Sequence, residues 1–267
     1  MNFFYNKFAE VYYNLIVFRN YIYSKYLLKQ PLNYRDIPII INNRNRLSFL
    51  IELVNTLEIK GYHNIIILDN KSTYPPLLDF YSTTKHEVIF LDKNYGFKAL
   101  EESKVINRFK KNYFVYTDPD VIPIAECPDD FLSKFLEVLI RNPKIQKVGF
   151  ALKIDDLPDC FDKKKEVIAW ESKLYGEELE KNFFYAPIDT TFALHRPLAR
   201  ISTQGRFKHI RSLYPFEARH MPWYNDSKNL SDEEVFYLNS VEIGTHWSTG
   251  DGYKNKSFFK RLFHKFR

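Results

Sequence analysis

The sequence predicts an α/β fold in which a mainly parallel sheet carries helices on both faces. Two observations predict it: short runs of apolar residues alternate with segments of helical periodicity, and polar residues follow each apolar run. Continuous apolar runs are typical of strands buried on both faces, and their alternation with helices is typical of parallel sheets. The four runs span residues 37–43, 64–70, 87–92 and 113–117.

Helices are predicted between and after these strands. The leucines of residues 46–62 recur at helical spacing, and Gly61 marks the end of that helix. A helix opened by Pro75 or Pro76 suits the preference of proline for a first helical turn. Further helices are predicted within residues 94–109, 129–143 and 231–238.

Composition excludes several classes of protein. Hydrophobic residues make up 45% of the 267 residues and aromatic residues 17%, which excludes disorder across the whole chain. The length allows one large α/β domain or two small ones. Cys127 and Cys160 lack metal-ligand spacing, and we interpret them as ordinary thiols rather than a disulfide framework.

The positive charge is concentrated at the C-terminal end. The net charge is +6, and residues 254–267 contain six Lys or Arg residues and no acid, so the remaining chain is balanced. Phenylalanines at helical spacing among these cations predict a basic amphipathic helix at an anionic membrane surface, with a solvated or domain-docked tail as the alternative. No nucleic-acid fold signature accompanies the tail, and we expect no nucleic-acid partner.

The first 35 residues are predicted to form one or two aromatic helices, either interfacial or packed on the domain. Charges interrupt them too often for a membrane-spanning helix, and no signal-peptide cleavage pattern follows. We therefore expect a cytoplasmic protein that is peripheral on the inner face of the cell membrane. The predicted divisions are residues 1–35, an α/β domain at 36–247 with halves 36–123 and 124–247, and the tail 248–267.

Polar residues follow each predicted strand. Ligands of open parallel sheets collect at the carboxyl ends of the strands, so four polar ends in succession predict one binding site. Turn chemistry alone would explain any single pair, since Asp, Asn and Gly are common turn residues. The four pairs are Asn42 and Asn43, Asp69 and Asn70, Asn94 and Gly96, and Asp118 and Asp120.

The fourth pair carries the most chemistry. Asp118 and Asp120 flank Pro119 directly after an apolar strand. Two carboxylates on one tight loop are suitable ligands for a hard divalent cation that also holds a phosphate-bearing ligand. A simple Asp-Pro-Asp turn is the alternative.

Four segments together carry a family resemblance: PIIINNRNR, IIILDNKST, VIFLDKNYG and YFVYTDPDVIP. In order and spacing they resemble the nucleotide-sugar half of GT-A glycosyltransferases, in particular family 2-like bacterial enzymes. The resemblance covers residues 36–123 well and extends more loosely to about residue 247. It implies a GT-A (Rossmann-like) sheet, a nucleotide-sugar donor, most simply a UDP-sugar, and Mn²⁺ or Mg²⁺.

The resemblance also implies roles for residues at the strand ends. It places Asn42, Asn43 and Arg44 against the nucleotide, and Asp69 with Asn70 at the position that reads the base. Asn94 and Gly96 match the N-x-G loop, where glycine lets the backbone approach a ligand. Asp118 and Asp120 match the D-x-D motif, in which the second acid binds the metal and the first acts on the ribose or through water. For Asp69 and Asn94 the alternative is a helix cap or an Asx-turn.

The second half of the chain supplies candidates for the remaining chemistry. An inverting transferase needs a carboxylate that takes the acceptor hydroxyl proton, and Asp189 is our first candidate, with Glu217 as its competitor. Asp155 and Asp156 follow these two. The family's usual Glu-Asp pair is absent at this position. The resemblance also implies a further metal ligand from a histidine late in the domain; His220 fits that order, and His246 is the alternative.

The predicted reaction is transfer of a sugar from a nucleotide-diphosphate donor to a glycan acceptor in surface polysaccharide synthesis. We expect this acceptor to be lipid-linked, because the N-terminal and C-terminal segments would hold the enzyme at a membrane surface. Inversion at the anomeric carbon follows from the resemblance alone. A haloacid-dehalogenase-type phosphotransferase is the first rival, although Ile122 stands where that class needs Thr or Val. The second rival is a catalytically inactive scaffold at the membrane surface. Nucleotidyltransferases share the sheet, but their Gly-rich loop is missing.

Overall fold

A computed structural model describes residues 2–28, 33–188, 192–199, 201 and 208–241. Its α-helices are α1 (Asn2–Ile22), α2 (Ser48–Ile59), α3 (Pro75–Thr83), α4 (Ala99–Glu102), α5 (Ile106–Phe109), α6 (Phe131–Arg141), α7 (Lys164–Glu171) and α8 (Asp232–Ser240). Its strands are β1 (Ile39–Asn43), β2 (Ile65–Asp69), β3 (Glu87–Phe90), β4 (Phe114–Thr117), β5 (Val121–Pro123), β6 (Ile145–Gly149), β7 (Ala151–Leu152), β8 (Glu178–Glu180), β9 (Phe183–Tyr185), β10 (Ala193–His195), β11 (Lys208–Ser212) and β12 (Glu217–His220).

The large sheet confirms the predicted α/β architecture. In the described parts of the chain, nine strands pair in the order β3-β2-β1-β4-β10-β6-β11-β9-β8. The pairs β3-β2, β2-β1 and β1-β4 are parallel, as are β6 and β11. Strands β10 and β9 run against the others. The four strands predicted from the apolar runs therefore form one continuous parallel half of the sheet.

Helices cover both faces of this parallel half, as predicted. Alternate residues of β1 point to opposite sides, so Ile39 and Ile41 pack with α2 and α6 while Ile40 packs with α4 and α5. Strands β1, β2 and β4 are buried on both faces, which is why they read as continuous apolar runs, whereas the edge strand β3 is partly exposed. Gly61 ends α2 with a φ of +83°, a left-handed conformation that favours glycine.

A small second sheet joins the segment that follows β4 to strands from the second half of the chain. Its strands pair in the order β5-β12-β7, with β5 and β12 antiparallel. Strand β5 begins directly after Asp120, and β12 ends at His220. This pairing brings the late segment of the chain back to the end of β4.

The N-terminal segment is helical, as predicted, and its C-terminal part docks on the large sheet. Helix α1 continues into a π-helical turn at Tyr23–Leu27. Asn20 donates from Nδ2 to Oε1 of Gln146 at 2.8 Å, and Arg196 donates from Nη1 to Oγ of Ser24 at 3.0 Å. No helix among the described residues is long and apolar enough to cross a membrane. The predicted C-terminal amphipathic helix lies outside the described residues.

Three basic side chains line up on neighbouring strands of the sheet. Lys147 of β6 is paired in register with His195 of β10 and His209 of β11, and all three are buried. Lys147 donates to the carbonyl oxygen of Ile188 at 2.9 Å, and the ring of His195 stacks on Phe114. Burial and the Lys147 charge hold the pKa of both histidines well below the ordinary value.

This row predicts a loss of stability in weak acid. Below about pH 6.5 the unfolded chain binds protons that the folded histidines refuse, so unfolding becomes easier by up to about 1.4 kcal/mol per pH unit for each imidazole. Urea unfolding should therefore give full stability above about pH 6.5 and a decline from there to pH 5. The double variant His195→Gln/His209→Gln should flatten this slope.

The control is His63→Gln, because His63 is an exposed histidine. It should keep the slope of the wild-type protein. An equal slope in the double variant and in the wild-type protein would show that the buried row does not control the acid sensitivity.

Candidate functional site

Four strand ends meet at one edge of the large sheet. Because β3, β2, β1 and β4 are adjacent and parallel, their carboxyl ends lie side by side. In register, Asn43 lies opposite Asp69, and Ile41 lies opposite Thr117, the residue before Asp118. The arrangement brings together the polar residues that the sequence predicts as one site.

Asn70 links the second strand end to the third. Its Oδ1 accepts from the backbone N–H of Tyr95 at 2.7 Å, and its Nδ2 donates to the carbonyl oxygen of Gly96 at 3.0 Å. Asn94 accepts through Oδ1 from the N–H of Gly96 at 2.9 Å. Gly96 has a φ of +58°, in the left-handed region that glycine adopts readily, and the approach of a ligand to its backbone stays a prediction.

Asp69 is buried and has partners inside the protein. Its Oδ2 accepts from the N–H of Ser72 at 3.1 Å, and its Oδ1 accepts from the hydroxyl of Tyr81 at 3.1 Å. Asn43 in turn donates to that hydroxyl at 2.8 Å. These bonds fix the loop after β2. A contact between Asp69 and a base stays a prediction.

Asn42 and Asp118 lie next to each other across the first and fourth strand ends. Asn42 donates from Nδ2 to Oδ1 of Asp118 at 3.4 Å. The Oδ1 atom of Asn42 is buried and has no partner among the described residues. Buried polar atoms are nearly always paired, so this acceptor indicates a place for a donor from a ligand or from water.

Asp120 and His220 are brought together by the small sheet. His220 pairs with Val121 across β12 and β5, and the N–H of Met221 donates to the carbonyl oxygen of Asp120 at 2.8 Å. As a result, Nε2 of His220 lies 3.8 Å from Oδ1 of Asp120. The His220 ring also packs against Trp223, with 4.7 Å between ring centroids.

The pair fits one side of a divalent cation site. The Asp120 Oδ1 atom is buried and lacks a hydrogen-bond partner among the described residues. A cation bonded at about 2.1 Å to both atoms spans at most about 4.2 Å between them, so 3.8 Å is within reach. No three His, Cys, Asp or Glu residues of the described chain converge to hold a metal by themselves. Phosphate oxygens would have to complete such a site, as is usual for Mg²⁺.

Arg46 is a site residue that sequence reasoning missed. Its guanidinium is buried, lies 3.6 Å from Asp120 Oδ2, and donates to both carboxylate oxygens of Glu234 at 2.6 and 3.1 Å. The Tyr237 ring lies 3.7 Å from its Cζ. Burial opposes the charge, but Asp120, Tyr237 and Glu234 outweigh it and hold the pKa of Arg46 above its ordinary value.

No short sequence motif predicts this contact, because Arg46 and Glu234 are 188 residues apart in the chain. The one local signal is the predicted start of the later helix. Ser231 caps α8 by accepting from the N–H of Glu234 at 3.2 Å, as the Ser-x-x-Glu pattern predicts.

Helix α8 binds the loop after β1 at further points. Glu233 accepts from the N–H groups of Leu47 and Ser48 at the start of α2. Arg44 donates to the carbonyl oxygens of Lys71 and Ser240 at 2.7 and 3.3 Å. Arg44 therefore ties the loops after β1 and β2 to the end of α8, and its predicted contact with a nucleotide stays a prediction.

Glu217 lies on the other face of β12 from His220. Side chains alternate along a strand, so Glu217 shares its face with Arg219, while His220 shares the face of Ala218. Arg219 pairs with Asp156 rather than with the strand ends. Burial raises the pKa of Glu217, with Asp155 and Asp156 adding to the rise and Lys153 opposing it. The structure therefore does not bring Glu217 to the side of Asp120 and His220.

Two predicted residues lie outside the described parts of the chain. Asp189, the first candidate for the base, falls in the gap between residues 188 and 192. His246, the alternative metal ligand, lies beyond residue 241. Their roles stay predictions.

Comparisons with known proteins find likeness in structure only. No protein-family model and no curated protein matches the sequence. Among solved structures, a mycobacterial protein matches with 12% identity and a TM-score of 0.45, over 78% of this chain and 75% of that chain. Glucosyl-3-phosphoglycerate synthase from Mycobacterium tuberculosis in complex with Mn²⁺ and uridine-diphosphate-glucose matches with 13% identity and a TM-score of 0.38, over 63% of this chain and 62% of that chain.

GalNAc-T7 with UDP, GalNAc and Mn²⁺ matches with 12% identity and a TM-score of 0.40, over 70% of this chain and 46% of that chain. The chain thus spans less than two thirds of the synthase and about half of GalNAc-T7. All these scores lie below 0.5, so the function proposed below rests on the residues of the site.

The buried ion pair predicts a large cost for removing one partner. Glu234→Ala leaves the guanidinium of Arg46 buried with Asp120 as its remaining acid, and loss of a buried partner costs about 3–5 kcal/mol. Urea unfolding at pH 7 should show that loss. The matched control is Glu87→Ala, which removes the exposed pair with Arg108 and should cost less than about 1 kcal/mol. Equal costs for the two variants would contradict a structural part for the buried pair.

Proposed function

We propose that this protein is a metal-dependent glycosyltransferase that moves a sugar from a nucleotide-diphosphate donor, most simply a UDP-sugar, to a glycan acceptor. One observation carries the proposal. The buried Oδ1 atom of Asp120 accepts no hydrogen bond from the described residues and lies 3.8 Å from Nε2 of His220, on the edge where four parallel strands end in polar residues. Such an edge is where α/β sheets bind phosphate-bearing ligands.

The residues of this edge suit the parts of a nucleotide diphosphate. Asp120 and His220 would hold Mn²⁺ or Mg²⁺, which when bound stabilises negative charge on the departing diphosphate. Asp118 and the unpartnered oxygen of Asn42 are acceptors, and acceptors suit the hydroxyl groups of a ribose. The N-x-G loop at Gly96 leaves room for close approach of a ligand to the backbone.

Arg46 holds the metal-side carboxylate in place. Its guanidinium lies against Asp120 Oδ2, which leaves Oδ1 directed to His220. Glu234 forms a second ion pair with the same guanidinium, on its Nη1 side. The chain thereby orients Asp120 at a buried position, as neighbouring side chains commonly do for the ligands of a metal ion.

The proton from the acceptor hydroxyl requires a base, and we keep both candidates as proposals. Asp189 comes first by its position in the sequence. Glu217 has a pKa raised by burial, as a general base near neutral pH requires, but it lies on the opposite face of β12 from His220. Attack by the acceptor oxygen with inversion at the anomeric carbon is part of the same proposal.

The acceptor that we propose is a lipid-linked glycan in surface polysaccharide synthesis, at the cytoplasmic face of the membrane. The basic, phenylalanine-rich residues 254–267 support it, because their composition suits an anionic bilayer surface where such an acceptor lies.

The donor site predicts a metal-dependent affinity for a nucleoside diphosphate. Calorimetric titration of UDP, and then of GDP, should give binding in the presence of Mn²⁺ and little without it. Asp120→Asn keeps the shape but removes the charge, so it should weaken Mn²⁺-dependent binding at least about tenfold. His220→Gln should weaken it in the same direction.

Asp159→Asn is the matched control, since Asp159 is an exposed carboxylate paired with Lys164. It should bind like the wild-type protein. Failure of both nucleotides to bind with either metal would reject the donor site and favour an inactive scaffold. Binding that persists unchanged in Asp120→Asn would reject the assignment of the metal ligand.

A further inference from the structure

Exposed apolar side chains line the outward face of α1 from Phe8 to Phe18, and the exposed Arg19 follows them on the same face. Phe8, Val11, Tyr12, Leu15 and Phe18 are between 51% and 74% exposed. At about 100° per residue, these five side chains fall within an arc of about 120° on the helix. They form one continuous stripe, which we name the α1 stripe.

The opposite face of α1 is the one that docks on the protein. Ile16, Val17 and Asn20 are buried there, and Asn20 bonds Gln146 of the sheet. Below them, Ser24 accepts from Arg196. Because this opposite face already packs on the protein, the exposed stripe is not needed for packing within the described fold.

Other helices of the protein do not share this pattern. Where α2, α3, α6 and α8 expose a large apolar residue, each exposes a single one: Ile59, Leu78, Ile140 and Val235. Single exposed apolar residues are ordinary, whereas a contiguous apolar patch marks a surface that contacts a partner or a membrane. Tyr26 and Leu27, 62% and 65% exposed, extend the apolar surface past the end of α1.

We propose that the α1 stripe is the surface by which the folded protein lies on an anionic lipid bilayer. The stripe combines Phe and Leu, which enter the acyl boundary, with Tyr12, whose ring suits the headgroup level. This inference does not rest on the donor chemistry, although it would place the proposed lipid-linked acceptor next to the enzyme.

Charge complementarity favours a bilayer over a protein partner. Residues 2–28 contain Lys7, Arg19 and Lys25 but a single acid, Glu10. The chain that continues past residue 241 ends in six cations without an acid, with phenylalanines among them. An apolar stripe combined with unbalanced cations in two segments suits a surface of anionic headgroups above apolar chains.

The test is vesicle co-sedimentation of the full chain with phosphatidylcholine/phosphatidylglycerol vesicles. The wild-type protein should sediment with them, and Leu15→Glu/Phe18→Glu should lose affinity at least about tenfold because two apolar side chains leave the bilayer. The matched control is Ile59→Glu/Ile140→Glu, which changes two exposed apolar residues on other helices. This control should bind vesicles like the wild-type protein.

Two further readouts separate the causes. Circular dichroism and Mn²⁺-dependent UDP titration should be the same in all these proteins, so that a failure of the donor site and a failure of the membrane face can be told apart. Deletion of residues 254–267 should reduce binding to anionic vesicles while the remaining binding still depends on the stripe.

A second measurement does not depend on the charged variants. A polarity-sensitive fluorophore on Leu15→Cys, in a Cys160→Ser background, should shift to the blue when vesicles are added, whereas the same probe on Ile59→Cys should not. The Cys160→Ser change removes the exposed native thiol. No blue shift at position 15, or full vesicle binding by Leu15→Glu/Phe18→Glu, would overturn the proposal. A lipid-free dimer that the same variant converts to a monomer would assign the stripe to a second copy instead.

Discussion

The buried guanidinium of Arg46 is the constraint on which the arrangement of the site depends. A charge without water must have partners, and Arg46 finds them in Asp120 after β4 and in Glu234 on α8. Because each of these buried charges needs the others as partners, the three elements that carry them have to come together in the fold, although they are distant in sequence. Once α8 is held there, Glu233 reaches the start of α2 and the end of α8 receives Arg44. The loops around the strand ends therefore form one connected unit.

Within this unit the two carboxylate oxygens of Asp120 have different surroundings. Arg46 occupies the side of Oδ2, and the Oδ1 side faces His220 without a hydrogen bond. A buried carboxylate oxygen left in this way costs stability, and sites of function are where such costs are commonly found. The small sheet produces this geometry, since β12 returns the chain to the residue that follows Asp120.

The parts that sequence reasoning predicted are those written in local patterns. Continuous apolar runs predicted the parallel strands. The approach of His220 to Asp120 is an exception, because it was predicted from the family resemblance and joins residues far apart in the sequence. Arg46 and Glu234 were not predicted, because their pairing depends on how α8 packs and has no spacing signal. The sequence also could not predict on which face of β12 the Glu217 side chain lies, because that depends on where the strand begins and ends. Asp69 has bonds to Ser72 and Tyr81 that no local pattern predicted, and its contact with a base stays a prediction.

The most direct measurement is the anomalous diffraction of manganese in crystals grown with UDP and Mn²⁺. The account predicts one strong peak within bonding distance of Asp120 Oδ1 and His220 Nε2, with diphosphate density on its open side and Arg46 still paired with Glu234. A peak elsewhere, or bound UDP whose phosphates avoid Asp120, would contradict the central claim that these two residues hold the metal of a nucleotide-sugar site.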